Sequence, residues 1–297
     1  MRPPVSIQVA AAIRCLPEFP GRDRAFVWFR NRNLDDRLVE FPLCGLRFRG
    51  PLREMCQIAT LRWTPPSLAP VFDAALAPGG VLADVGAFLG MYALWGARRV
   101  GPEGRVHAFE PVPASAERVR EYAELNGFAN VEVVGGAVGA EEGAVELQLA
   151  PGEAAAGVTS RYIGAGAAGA LKVAQTTLDA FFASRRPPDL VKIDVEGMEA
   201  EVLHGARGLL ASERAPVVVF EAHLAERGDG SYAGIVRFLE ALGCAVWSLG
   251  PRGVRREPPG VEQPGSMNVL ATRTDLERHQ AVVRSLARAR FPRNQNE

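Results

Sequence analysis

Acids and glycines recur in this sequence at spacings that suit a nucleoside cofactor with a cationic end. Asp84-Val85-Gly86-Ala87-Phe88-Leu89-Gly90 closes an apolar run, VLADVG (81–86). Gly86 lacks a Cβ, so the chain can turn tightly there and a ligand can approach the backbone. Gly90 would let the start of a following helix pack closely. Glu110 ends a second apolar run, 20 residues after Gly90. A carboxylate at such a strand end can accept hydrogen bonds from both ribose hydroxyls of a nucleoside. Nicotinamide dinucleotides are held by GxGxxG, whose amides grip an anionic pyrophosphate. Here the spacing is GxxxG behind Asp84. A carboxylate repels a pyrophosphate but attracts the cationic methionyl end of S-adenosylmethionine, so the sign of Asp84 favours a methyl donor.

A third group is Lys192-Ile193-Asp194-Val195-Glu196-Gly197, with Glu199 close behind. Period-2 alternation puts Lys192 and Asp194 on one strand face. They form either an ion pair within the sheet or a polar cluster beside the transfer centre. Methylating a hydroxyl needs in-line approach of the nucleophile and removal of its proton, by a base or through a metal. The catalytic candidates are His223, Glu221, Asp194 and Lys192, and the ordinary pKa of His223 lies near neutrality. Asp194, Glu221 and His223 could also converge on Mg²⁺ or Mn²⁺. Nothing in their spacing demands a metal, and no metal ligand is assigned. Cys15, Cys44, Cys56 and Cys244 contain no CxxC pair and read as reduced thiols.

The elements that must hold these residues alternate. Strand-like runs fall at 81–86, 105–110, 131–136, 189–197, 215–223, 244–249 and 267–272. Helical patterns fall at 91–100, 114–126, 176–185, 198–211 and 231–243. Such alternation indicates βαβ units around a parallel sheet. Residues 144–149 and 171–175 alternate like strands around an Ala/Gly-rich stretch, 150–170, expected to be a loop able to close over ligand. Residues 1–78 are cut by prolines. Within them Phe26–Phe29 and Leu43–Phe48 read as strands, the second as a hairpin around Cys44 and Gly45, and Leu68–Leu76 reads as a helix. The tail, 276–291, reads as a basic amphipathic helix packed on the domain.

Composition narrows the class. Of 297 residues 47% are apolar and 23% charged, which excludes disorder through most of the chain. The 34 Lys+Arg balance the 34 Asp+Glu, against nucleic-acid or anionic-membrane binding. No run of roughly 18 apolar residues suggests a membrane span. The N-terminus lacks the three-part pattern of a signal peptide, so a cytoplasmic protein is expected.

In these segments the chain resembles the FkbM-type family of S-adenosylmethionine-dependent methyltransferases. The matching stretches, in order, are DVGAFLGMYAL (84–94), GRVHAFEP (104–111), NGFANVEVV (126–134), TTLDAFF (176–182), LVKIDVEGMEAEVLHGA (190–206) and VVVFEAH (217–223). The resemblance implies the class I methyltransferase fold: α/β, Rossmann-like, with a seven-stranded mostly parallel sheet whose last strand is antiparallel. It divides the chain into an N-terminal extension (1–78), a methyltransferase domain (79–273) and a tail (274–297). It implies methyl transfer, most often to a hydroxyl of a sugar or secondary metabolite. Asp84, Gly86 and Gly90 match the family's first cofactor loop, with Ala87 and Phe88 between them. Glu110, followed by Pro111, matches its ribose-binding acid, and Asp194, Glu196 and Gly197 match its second acidic motif. Ala137 joins the cofactor set. The sequence departs at Phe88, where the family usually has Asn and where Phe cannot make a polar contact. Two other readings compete: an S-adenosylmethionine-binding protein with altered or no activity, and an NAD-dependent oxidoreductase. The expected partner is a small-molecule acceptor, with a homodimer left open.

Overall fold

The computed structural model describes residues 28–29, 32–52, 55, 68–149, 159–160, 169–222, 231–250, 253–258, 268–289 and 291, with positions 5, 9 and 12 in isolation. In chain order, β1 (Leu38–Leu43) and β2 (Leu46–Pro51) form an antiparallel hairpin. Its turn is Cys44–Gly45, with φ of 52° and 77°, which is the expected hairpin. Trp28 and Phe29 are helical rather than extended. Then follow α1 (Ala69–Ala75), β3 (Val81–Val85), α2 (Met91–Val100), β4 (Arg105–Phe109), α3 (Pro113–Leu125) and β5 (Val131–Val134). An insert holds β6 (Ala137–Val138), β7 (Gly143–Leu149), β8 (Thr159–Ser160) and β9 (Gly169–Thr176). The rest is α4 (Leu178–Phe182), β10 (Leu190–Ile193), α5 (Glu199–His204), α6 (Arg207–Ala211), β11 (Val217–Glu221), α7 (Tyr232–Ala241), β12 (Cys244–Gly250), β13 (Gly253–Arg256), β14 (Asn268–Arg273) and α8 (Glu277–Leu286).

The main sheet has the order β13-β12-β14-β11-β10-β3-β4-β5. β5, β4, β3, β10 and β11 are mutually parallel, and β14 runs antiparallel between β11 and β12. This is the expected α/β sheet with its last strand antiparallel, extended by β13, which the Pro/Gly/Arg-rich connection supplies as an eighth strand. Its central strands read as continuous apolar runs because helices cover both faces. One face packs Phe182, Val202, Leu210 and Leu239 from α4 to α7. The other packs Val71 and Phe72 of α1, Ala93 and Ala97 of α2, and Val282 and Leu286 of α8.

The insert forms its own sheet, β6-β9-β7-β8. The stretch expected to be a loop thus contributes a strand, β8, paired with the end of β7. The helix expected over 176–185 is limited to α4, and the one over 198–211 is split into α5 and α6. A third apolar cluster joins the hairpin to the domain: Phe41, Leu46, Phe48 and Met55 pack against Leu89, Met91, Leu94 and Tyr122.

Candidate active site

The sequence-predicted acids gather at the carboxyl ends of the parallel strands, where ligands of open α/β sheets bind. The turn after β3 is set by backbone geometry. Gly86 and Ala87 both donate their N–H to the Phe109 carbonyl at 3.0 Å. Gly86 has φ 78°, and a Cβ there would lie 1.8 Å from the Asp194 carbonyl oxygen, so only glycine lets the turns after β3 and β10 cross. Gly90, at φ 77°, is the N-cap of α2. Phe88 also lies at positive φ, 50°.

Glu110 follows β4. Its carboxylate accepts from the Phe88 N–H at 2.7 Å and the Val112 N–H at 2.9 Å. Burial pushes its pKa up to about 7, although the amides of Val112 and Phe88 pull the other way. Each oxygen keeps a lone pair for a further donor.

Lys192 and Asp84 are register partners on β10 and β3. The Lys192 Nζ lies 3.3 Å from Asp84 Oδ1 and 3.4 Å from Asp194 Oδ2, donates to the Gly86 carbonyl at 3.0 Å and sits 5.3 Å from the Tyr92 ring centre. Burial alone would lower the Lys192 pKa, but Asp84 and Asp194 outweigh it and raise it above that of a free lysine. Asp84 is 0% exposed, and neither of its oxygens makes a well-formed hydrogen bond among the described residues. One lysine is thus shared by two acids, and burial raises the Asp84 pKa against the pull of Lys192.

A cavity opens above this network. It is lined by the predicted residues Gly86, Phe88, Glu110, Pro111, Ala137, Asp194 and Glu196. Asp84 and Lys192 are not among the lining residues; they form its buried support. Ala87 packs into the core instead, and Gly90 shapes the helix start. The acidic turn is held by Glu199, buried, whose carboxylate accepts from Val195 N–H at 3.1 Å and Gly197 N–H at 3.3 Å. Glu196 and Gly197 take φ of 54° and 95°. Sequence reasoning missed the apolar wall of Phe109, Val138, Leu147 and Met198. Leu147 comes from the inserted sheet, and nothing in its local pattern pointed to the cavity.

Glu221 ends β11. Since Ile193 pairs with Phe220, Asp194 and Glu221 follow on neighbouring strand ends, and Glu221 faces Asn268 across β14. His223 lies outside the described residues. Among the described residues there is no group of three or more His, Cys, Asp or Glu that could hold a metal ion. Among them, too, no helix is long and apolar enough to cross a membrane.

This donor set fits S-adenosylmethionine. A buried carboxylate suits ribose hydroxyls, an apolar wall suits a purine, and an acidic side suits a sulfonium and an ammonium group. The chain is also similar to known methyltransferases. It matches protein-L-isoaspartate O-methyltransferase of Ignicoccus hospitalis at 40% identity over 73 residues, which is 24% of this chain and 35% of that relative. Among solved structures, it is similar to an FkbM methyltransferase of Methylobacillus flagellatus KT, with TM-score 0.42 and 15% identity over 74% of this chain and 54% of that one. It is likewise similar to precorrin-6y C5,15-methyltransferase of Geobacter metallireducens GS-15, with TM-score 0.40 and 18% identity over 69% and 85% of the two chains. The family model described as the methyltransferase FkbM domain matches residues 84–244, more than half of the chain, and the protein therefore belongs to the FkbM family of S-adenosylmethionine-dependent methyltransferases.

Proposed function

We propose that this methyltransferase acts on oxygen, methylating a hydroxyl of a small natural product or a sugar in the cytoplasm, with no nucleic acid or membrane as partner. The observation that carries this reading is the pair of carboxylates on adjacent strand ends: Asp194, which lines the cavity, and Glu221, which ends the neighbouring strand. A hydroxyl nucleophile needs a proton acceptor, and either acid can take the proton; His223, two residues beyond Glu221, is a third candidate. S-adenosylmethionine would supply an electrophilic methyl group on a sulfonium. Glu110 would hold the ribose, and the apolar wall with Pro111 and Ala137 would take the purine. Asp194 and Glu196 would face the cationic end. Lys192 and Asp84 would act by holding Gly86 and Asp194 in place.

The test is incubation with methyl-labelled S-adenosylmethionine and a panel of sugars, phenols and aliphatic alcohols. Label in an ether product, lost in Glu221→Gln at unchanged cofactor affinity, supports the reading. Label only on nitrogen or carbon acceptors overturns it. A second reading, cofactor binding without turnover, is favoured by Phe88, which places a ring in the cavity wall where the family usually has Asn. Binding in a calorimeter with no product from any acceptor would select it.

A further inference from the structure

Phe88 has an unusual position for its residue type. Its φ of 50° places a bulky residue in the left-handed region, where non-glycine residues other than Asn and Asp are uncommon and which costs about 1–2 kcal/mol. Such strain persists only where the surroundings over-determine it. Two surroundings do so here. The Phe88 N–H is fixed on Glu110 Oε2 at 2.7 Å. Its ring lines the cavity and at the same time packs against the cluster that holds the N-terminal hairpin. The residue therefore touches both the cavity and the layer outside it.

That layer is fastened to the domain at points away from the cavity. Asn126, at the end of α3, accepts from the Arg47 N–H at 2.7 Å and donates to the Arg47 carbonyl at 2.8 Å, so a side chain closes the pairing that a strand would make. Arg98 of α2 donates to the Cys44 carbonyl in the hairpin turn at 2.7 Å and lies 4.4 Å over the Trp95 ring. Phe48 packs edge-on against Tyr122, with ring centres 5.1 Å apart. The same cluster contains Leu89 and Met91, which flank the turn that follows Phe88.

We propose that Phe88 is a positioning residue through which the seating of the N-terminal hairpin sets cofactor affinity. A seated hairpin backs the ring and keeps residue 88 left-handed, so its amide stays on Glu110. A loosened hairpin lets the ring leave, residue 88 relaxes to an ordinary conformation, and Glu110 loses one of its two amide donors. An element with two arrangements, biased by both the hairpin and the ligand, is what coupling between sites requires. This inference rests on the reading of the cavity as the S-adenosylmethionine site.

The experiment is a set of mutant cycles on the full chain. Asn126→Ala and Arg98→Met each loosen the hairpin without touching the cavity. Phe88→Gly removes the ring but accepts φ 50° freely and keeps the amide. S-adenosylmethionine affinity is read by calorimetry, and amide exchange of residues 86–90 is read without cofactor. Each loosening variant should weaken binding by about fivefold or more with Phe88 present, the lower range of measured couplings. In the Phe88→Gly background the effect should vanish. Exchange at 86–90 should accelerate in the loosened variants only when Phe88 is present. Equal weakening in both backgrounds, or no change in affinity and exchange with Phe88 present, would overturn the coupling. Absence of S-adenosylmethionine binding by the unaltered protein would instead sink the cofactor reading, and the exchange data would still report whether hairpin and loop are linked.

Discussion

Lys192 is one of only two lysines in the chain, and its surroundings explain why a long flexible cation is there. Its ammonium group lies within ion-pair distance of both Asp84 and Asp194, and it also holds the Gly86 carbonyl. Removing one partner of a buried pair leaves the other charge uncompensated, at a cost of about 3–5 kcal/mol. Lys192→Met should therefore lower stability by about that amount in chemical denaturation, and the double variant with Asp84→Asn should recover most of it. A single variant as stable as the unaltered protein would mean that the network holds nothing. The alternation of Lys192 and Asp194 made their pairing visible in the sequence. Asp84 was different. Its sign pointed toward a cationic ligand, yet it lies behind the loop, because its contact depends on the β3–β10 register. Register between segments more than a hundred residues apart leaves no local pattern.

Elements show the same division. The strands of the main sheet and most flanking helices were legible because burial on both faces imposes long apolar runs and 3.6-residue stripes. The break between α5 and α6 was not, since 198–211 keeps one continuous helical pattern. Its cause is a contact from elsewhere: a Cβ on Gly205 would come within 2.0 Å of the Gly139 carbonyl oxygen, so the insert passes directly over that residue. The Gly205 carbonyl accepts from the Asp179 N–H at 2.9 Å. The Asp179 carboxylate in turn accepts from the Gly208 and Leu209 N–H groups, both at 2.7 Å, capping α6 across space. Loss of a helix cap costs about 0.5–2 kcal/mol, so Asp179→Ala should lower the unfolding free energy by that amount, read from the denaturation midpoint, and Asp179→Asn by less. An Ala variant that melts with the unaltered protein would show that α6 needs no cap. The small strands β8 and β13 were unreadable for a related reason: each is too short to carry a period and exists only by pairing with a longer neighbour.

At the scale of the whole molecule, two buried titratable groups at opposite ends of the sheet act on stability in opposite senses. Glu110 sits at the cofactor end, raised from an ordinary 4.5 to about 7 by burial. Its native form holds its proton where the unfolded chain has lost it, so its contribution to stability declines as pH rises from 4.5 to 7. His279 pins the tail helix: the Arg273 N–H donates to its Nδ1 at 2.8 Å, and its Nε2 lies 2.9 Å from the Ala215 carbonyl. With Nδ1 accepting, Nε2 carries the proton and donates it. Burial, with Arg278 beside it, lowers His279 from 6.5 to about 4, so the unfolded chain takes a proton that the native ring refuses, and stability declines as pH falls from 6.5 to 4. Each shift corresponds to about 3 kcal/mol. Between pH 4.5 and 6.5 the two slopes cancel, and the pair leaves stability level in the unaltered protein. Glu110→Gln removes one slope: relative to the unaltered protein, its unfolding free energy should fall by about 2 kcal/mol on going from pH 6.5 to 4.5, a window of about two pH units. His279→Gln removes the other and should gain about as much over the same interval. Taking differences against the unaltered protein cancels every other titrating group, so urea denaturation at the two pH values suffices. Three parallel profiles would show that neither group is buried in the ionisation state assigned to it. One divergent profile would identify which end of the sheet, cofactor cleft or tail, is open to water.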